Sequence, residues 1–258
     1  MHYEVVEDIF PHDSLLLHGN LGANVWWEPA LAEFARLAAG KSYSGRAILG
    51  EWRGCGKSSP PSSEAELAMD VLAGDYLALT KHLRLQRPHL VGHSLGGMLA
   101  QRLLCRAGES YGKAMLLNPL PATGFFTNDK KLALIDRMRA DRRLCREVMA
   151  TTIVNVHELP LELLERITDA AFHTGELNWR GIPNQIASID IREELKRVEN
   201  PVLVIHGMLD HVVGAETSRE IAALVKHGSF REAPLGGHSL SVENPRLFAE
   251  LVSDFLFS

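Results

Sequence analysis

Cysteine is scarce in this chain, with three in 258 residues, at Cys55, Cys105 and Cys145. An odd number at wide spacing is neither a disulfide framework nor a zinc pattern, and it suits a reducing compartment. No cluster of His, Cys or Asp has ligand spacing, so neither a metal nor an organic cofactor is implied. A basic surplus is missing as well. Lys and Arg number 27 against 32 Asp and Glu, for a formal net charge of -5. That balance argues against a phosphate backbone, and hence nucleic acid, as partner. Apolar runs fall far short of the ~20 residues a membrane helix requires. The first twenty residues carry Glu4, Glu7, Asp8 and Asp13 where a secretory leader would be basic and then apolar. The expectation is a cytoplasmic protein with no membrane partner, acting on a small molecule, its oligomeric state open.

What is present is ordinary for a globular enzyme-sized domain, 46% hydrophobic and 23% charged. Short apolar runs at 15–18, 47–49, 89–92, 114–118, 202–206 and 230–233 are nearly continuous, as in parallel strands covered on both faces. Between them, 25–39, 64–83, 95–107, 216–226 and 245–256 have helical period. In the first, Trp27, Leu31, Phe34 and Ala38 share one face. The alternation predicts an α/β fold with a doubly wound, mostly parallel sheet. From Leu120 to Asp190 no strand is evident, only amphipathic helical pattern punctuated by Pro119, Pro121, Pro160 and Pro183. The predicted organisation is a core of 1–119 and 191–258 with a helical cap inserted at 120–190. Phe125, Phe126, Ile153, Phe172 and Trp179 are the cap's apolar candidates, most of them for its own core.

The most informative segment is HLVGHSLGGMLAQRLL, residues 89–104. An apolar strand ends at Gly92, a helix begins near Leu95, and Ser94 stands at the junction within Gly92-His93-Ser94-Leu95-Gly96. A nucleophilic serine at such a place sits on a tight, strained turn that lifts its hydroxyl above the sheet edge. Side chains two residues before and after it would strike neighbouring backbone, which explains both glycines. The helix start beneath offers the Leu95 N–H and a positive dipole end to a developing oxyanion.

A serine hydroxyl needs a base. Of the 12 histidines, His238 lies in a glycine-flanked loop after the last strand candidate, at the edge where open α/β sheets place their chemistry. His89 begins a strand, His206 ends one and His93 is constrained inside the turn. Asp210, four residues beyond another strand end, is the candidate to orient His238; a turn or helix cap is its bland alternative. Ser94, Asp210 and His238 follow one another in a known triad order. A second oxyanion donor is expected from the Asn20 N–H, after the strand end at His18-Gly19.

With those residues in place, the chain resembles the α/β-hydrolase family, and specifically its compact lidded members. The likeness rests on His18-Gly19, Arg53-Gly54-Cys55-Gly56-Lys57-Ser58, the GHSLGG turn, Pro201 leading to HGMLD, Gly237-His238 and Glu243-Asn244-Pro245. It implies an eight-strand-like sheet, a helical cap after the sixth strand and hydrolysis through an acyl-serine. Two departures stand out. Glu51 occupies a position where many relatives carry aspartate, and the amino-terminal hairpin reads as little more than 3–6. The Gly-Lys-Ser ending at 56–58 hints at a phosphate-binding loop, but that motif requires glycine at 51, where a carboxylate would repel phosphate. A non-catalytic binding module would have lost a triad member. The expected activity is cofactor-independent hydrolysis of small carboxylic esters. A carbon–carbon hydrolase, thioesterase, acyltransferase or lyase could use the same triad. Arg53 and Trp179 are candidates to recognise a carboxylate or flat ring, each with a structural alternative.

Overall fold

The computed structural model, described over residues 1–257, places the apolar runs side by side in one seven-stranded sheet. Its strands are β1 (His2–Phe10), β2 (Ser14–Leu17), β3 (Gly45–Glu51), β4 (His89–His93), β5 (Ala114–Leu117), β6 (Pro201–Gly207) and β7 (His227–Ala233). Their order is β1-β3-β2-β4-β5-β6-β7, with β1 antiparallel to β3 and every other pairing parallel. The sheet thus has one strand fewer than the resemblance implied. The amino-terminal strand, expected over 3–6, is nine residues long and carries a bulge between Val6 and Phe10. Because β1 is an edge strand, Glu4, Glu7 and Asp8 along it are compatible with pairing and discourage further strand addition.

The strands are apolar on both faces because helices cover both. Leu16, Met115, Leu117, Leu203 and Ile205 pack with Phe34 of α1 (Glu28–Ala38) and with Phe248 and Val252 near the carboxyl terminus. Their alternates Leu15, Leu17, Leu116, Val202 and Val204 face α2 (Met69–His82) and α3 (Leu95–Ala107). A period of two thus divides each strand between two cores, each buried Leu or Phe contributing about 1.5–3 kcal/mol.

Between β5 and β6 the chain forms α4 (Asp129–Ala140), α5 (Arg142–Ala150), α6 (Leu161–Phe172) and α7 (Asn178–Ile186), with no strand among them. Asn128 caps α4 by accepting from the Lys131 N–H, and Asp141 caps α5 by accepting from Arg143 and Leu144. Pro183, one of the prolines punctuating this region, lies inside α7. That helix is pinned against the 64–67 turn so closely that a Cβ on Gly181 would lie 2.6 Å from Leu67. Packing there overrides propensity. Met149, Ile153, Leu164, Ile167 and Trp179 form a third core that closes on Leu21, Trp26 and Val242 of the sheet domain. Phe172 packs at its margin, whereas Phe126 is exposed and lines no core. The chain continues through α8 (Arg192–Leu195), α9 (Ala215–Leu224), α10 (Leu240–Glu243) and α11 (Pro245–Leu256).

Candidate active site

Because the strands from β2 onward are parallel, the segments after β2, β4, β6 and β7 emerge at one edge. The order reverses between β2 and β4, the crevice where such sheets bind ligands. Ser94 stands there, between β4 and α3, with φ 54° and ψ −116°. A non-glycine residue in that region carries strain of about 1–3 kcal/mol, which surrounding contacts must hold. The Ser94 N–H donates to the Leu117 carbonyl at 2.9 Å, and the Ser94 carbonyl accepts from Gly97, Met98 and Leu120. The flanking glycines allow close approach. A Cβ on Gly92 would lie 2.5 Å from the Gly96 carbonyl oxygen, and one on Gly96 would lie 2.1 Å from that of Leu17.

The segment after β2 passes directly beside the serine, where a Cβ on Gly19 would meet Ser94 Cβ at 3.4 Å. Among the described residues, neither the Asn20 nor the Leu95 N–H has a hydrogen-bond partner. Buried Glu51 anchors this segment by accepting from the Asn24 N–H at 3.0 Å, while its second oxygen accepts from Lys57 N–H at 2.8 Å. The departure at 51 is therefore a structural carboxylate joining the 53–58 turn to the 19–24 segment. A Cβ on Gly56 would strike it at 2.2 Å, so the glycine of the Gly-Lys-Ser stretch serves this carboxylate. Lys57 itself reaches out to Glu4.

His238 and Asp210 meet across the ends of β7 and β6. The His238 Nδ1 to Asp210 Oδ2 distance is 2.8 Å, with side-chain exposures of 8% and 0%. The other Asp210 oxygen accepts from the Val212 and Val213 N–H groups at 2.6 and 3.2 Å. Burial works against the carboxylate, yet the His238 hydrogen bond, its charge and these two amides together hold the Asp210 carboxyl below its ordinary value. The Ser94 hydroxyl makes no hydrogen bond to His238 among the described residues. Such contacts often tighten only with substrate bound.

The remaining histidines have other tasks. His93 donates from Nε2 to the His238 carbonyl at 2.8 Å, and burial followed by the neighbouring His238 pushes it down to about 3. His18 is stacked on Trp52 with its Nδ1 against the Gly19 carbonyl, and burial pushes it down to about 4. His89 Nδ1 accepts from Lys113 N–H, and His206 lies against Ser218. Arg53, a candidate for substrate recognition, is instead engaged by both oxygens of Asp75 and by Glu66. Trp179 is buried in the helical core.

Two residues escaped the sequence reading. Asn118, fully buried at φ 43°, donates from Nδ2 to the Gly237 and His238 carbonyls at 2.8 and 2.9 Å. Its Oδ1 accepts from Gly207 N–H at 2.9 Å, so one side chain clamps the ends of β5 and β6 to the histidine loop. An asparagine directly after a buried strand and before proline was the available signal. Glu243, noted above as part of a helix start, accepts from backbone on both sides of His238.

Comparison with known proteins bears on this geometry. Residues 15–245 match the family described as the alpha/beta hydrolase fold. A protein of Variovorax paradoxus (strain S110), provisionally named carbamate hydrolase RutD, is 28% identical over 99% of this chain and 96% of its own. The 3-oxoadipate enol-lactonase 2 of Acinetobacter baylyi is 24% identical over 93% of this chain and 86% of its own. Among solved structures, an esterase from Exiguobacterium antarcticum superposes with a TM-score of 0.86 at 20% identity, covering 100% of this chain and 95% of its own. At that identity the last likeness concerns the fold.

Proposed function

The chain belongs to the α/β-hydrolase family, and from that premise we propose that it is a serine hydrolase of small carboxylic esters. The observation that carries this reading is the strained serine at φ 54° on the same sheet edge as a buried histidine–aspartate pair 2.8 Å apart. In this mechanism Ser94 Oγ attacks the ester carbonyl while His238 Nε2 takes its proton. Asp210 holds the other ring nitrogen and balances the imidazolium that forms. The Asn20 and Leu95 N–H groups stabilise the tetrahedral oxyanion, each worth about 3 kcal/mol of barrier. Collapse breaks the carbon–oxygen bond, His238 returns the proton to the departing alcohol, and water releases the acyl group by the same steps in reverse. No cofactor enters this scheme.

Helices α4–α7 act as the cap. Ser94 and His238 are each only 7% exposed, which favours substrates small enough to be enclosed. The name of one relative, an enol-lactonase, fits cleavage of a carbonyl–oxygen bond. A fluorophosphonate should label Ser94 alone and fail to label Ser94→Ala. A p-nitrophenyl ester series from acetate to palmitate should peak at acetate or butyrate. A maximum at the long end would reject the enclosed-site reading. Normal labelling with no esterase activity would favour the carbon–carbon hydrolase or lyase alternative.

A further inference from the structure

Resting on that reading, we propose that Glu243 is a positioning residue, fixing His238 in register and tying its loop to the cap through Val154. The loop Pro234-Leu235-Gly236-Gly237-His238 holds two consecutive glycines, and glycine brings backbone freedom and no side-chain anchor. The glycines are required by close approach. A Cβ on Gly207 would lie 2.2 Å from the Gly237 carbonyl oxygen, and one on Gly237 would lie 2.3 Å from Val154 Cγ2. Something other than side-chain packing must hold the loop.

On one side the holding groups are Asn118 and His93, which donate to the carbonyls of Gly237 and His238. The N–H groups on the other side go to Glu243. Its Oε2 accepts from Gly237 at 2.6 Å, and its Oε1 accepts from Ser239 at 3.0 Å. The peptides on both sides of His238 thus end on one carboxylate. The third donor comes from far away in the chain. Val154 N–H, in the turn after α5, donates to the same Oε1 at 3.0 Å. Among the described residues, no other contact between cap and histidine loop is built from a charged acceptor and backbone donors, and such bonds are the stronger kind.

Glu243 also lines an open cleft of about 550 Å³ with Ile153, Val154, Asn155, Pro160 and Val242. Neither Ser94 nor His238 lines that cleft. The carboxylate therefore stands outside the cleft that would hold substrate, and it bears on His238 through the loop it holds and through its charge. Displacement of the cap turn moves Val154, and through Glu243 that motion bears on the peptides beside the base.

Glu243→Gln is the test. A carboxamide has one acceptor oxygen and turns an N–H group toward a peptide N–H that the carboxylate had satisfied. A misplaced base slows chemistry by roughly ten- to a hundredfold while leaving substrate binding almost intact. The expected result is that loss in kcat and in the fluorophosphonate labelling rate, with KM for p-nitrophenyl acetate within about threefold. The low-field proton resonance of His238 Nδ1–H should broaden or shift. A folded variant with kcat within about twofold of the parent and that resonance unchanged overturns the proposal. A second measurement needs no variant. Amides that share one acceptor open together, so Val154, Gly237 and Ser239 should show exchange protection within about threefold of one another. Exchange at Val154 faster by about a hundredfold overturns the cap link. Failure of the parent enzyme to label at Ser94 would overturn the serine reading and this role with it. Normal labelling with an unimpaired Glu243→Gln would overturn the positioning role alone.

Discussion

Replacing Asp210 by asparagine isolates one function of the proposed triad, because the change is nearly isosteric and the site shows how it will be accommodated. One carboxylate oxygen accepts from Val212 and Val213 N–H, and an asparagine carbonyl can replace it there. The amide nitrogen then faces His238 Nδ1 at a position held 2.8 Å away. An N–H donor at that point forces the ring to carry its proton on Nε2, so it cannot accept one from Ser94. The lost charge adds to this. Two unit charges about 4 Å apart at an effective dielectric of ~20 interact by about 4 kcal/mol, or roughly a thousandfold in rate. The wrong tautomer and the lost charge together should cost ~10⁴ in kcat. Stability at neutral pH should fall less dramatically. The Asp210 carboxyl is held below its ordinary value of 3.8, so its stabilisation is present above that value and lost as pH falls through the lower folded one. The stability gap between parent and variant should therefore narrow in strong acid. Steady-state kinetics on p-nitrophenyl acetate, with denaturant melts at neutral and acid pH, measure both. A loss in kcat below about tenfold would refute the assignment of Asp210.

Gly96→Ala places a methyl 2.1 Å from the Leu17 carbonyl oxygen, so the unfolding free energy from a denaturant melt should fall by about 1–3 kcal/mol; an unchanged value would mean that α3 can move away from β2. Lys57→Ala removes an exposed partner of Glu4 and should leave ester hydrolysis unaltered, with no nucleotide binding by either form in a calorimeter. Melting temperature should drop as pH falls from about 6.5 towards 4, because His18 and His93 stay neutral in the fold down to about 4 and 3. Below 6.5 the unfolded chain binds protons that the native one refuses. His18 alone would cost on the order of 3 kcal/mol at the end of that range. A melting temperature flat across it would show that these rings protonate without unfolding.

The central strands were readable because helices bury both their faces, and that leaves continuous apolar runs at 89–92 and 202–206. The edge strands were underestimated for the opposite reason. Glu4, Glu7 and Asp8 lie on a half-exposed strand, and β7 begins at His227, not 230, because its first turnings face solvent. Pairing with β3 and β6 supplies the strand geometry that composition conceals. Pro183 is tolerated for a related reason, since its cost to α7 is set against tertiary contacts with 64–67 that no local window contains.

The candidate site divides the same way. Ser94 was legible because a strained turn demands glycines at fixed offsets, which is a local rule. Asp210 and His238 followed from chain order and strand ends. Asn118, Glu51 and Glu243 were not legible, since each acts on backbone far along the chain. Asn118 reaches Gly237 across 119 positions, Glu51 reaches Asn24 across 27, and Glu243 reaches Val154 across 89. These residues share a physical origin. Close approach at the sheet edge excludes side chains, so glycines fill Gly19, Gly96, Gly207 and Gly237 and leave the loops without anchors of their own. Their backbone donors and acceptors, cut off from water, must still be paired. A buried polar side chain from another element does both jobs at once, satisfying the orphaned groups and fixing the loop. Thus the glycines that a sequence reader recognises as the mark of a candidate nucleophile also create the need for Glu51, Asn118 and Glu243, whose contacts the reader does not see.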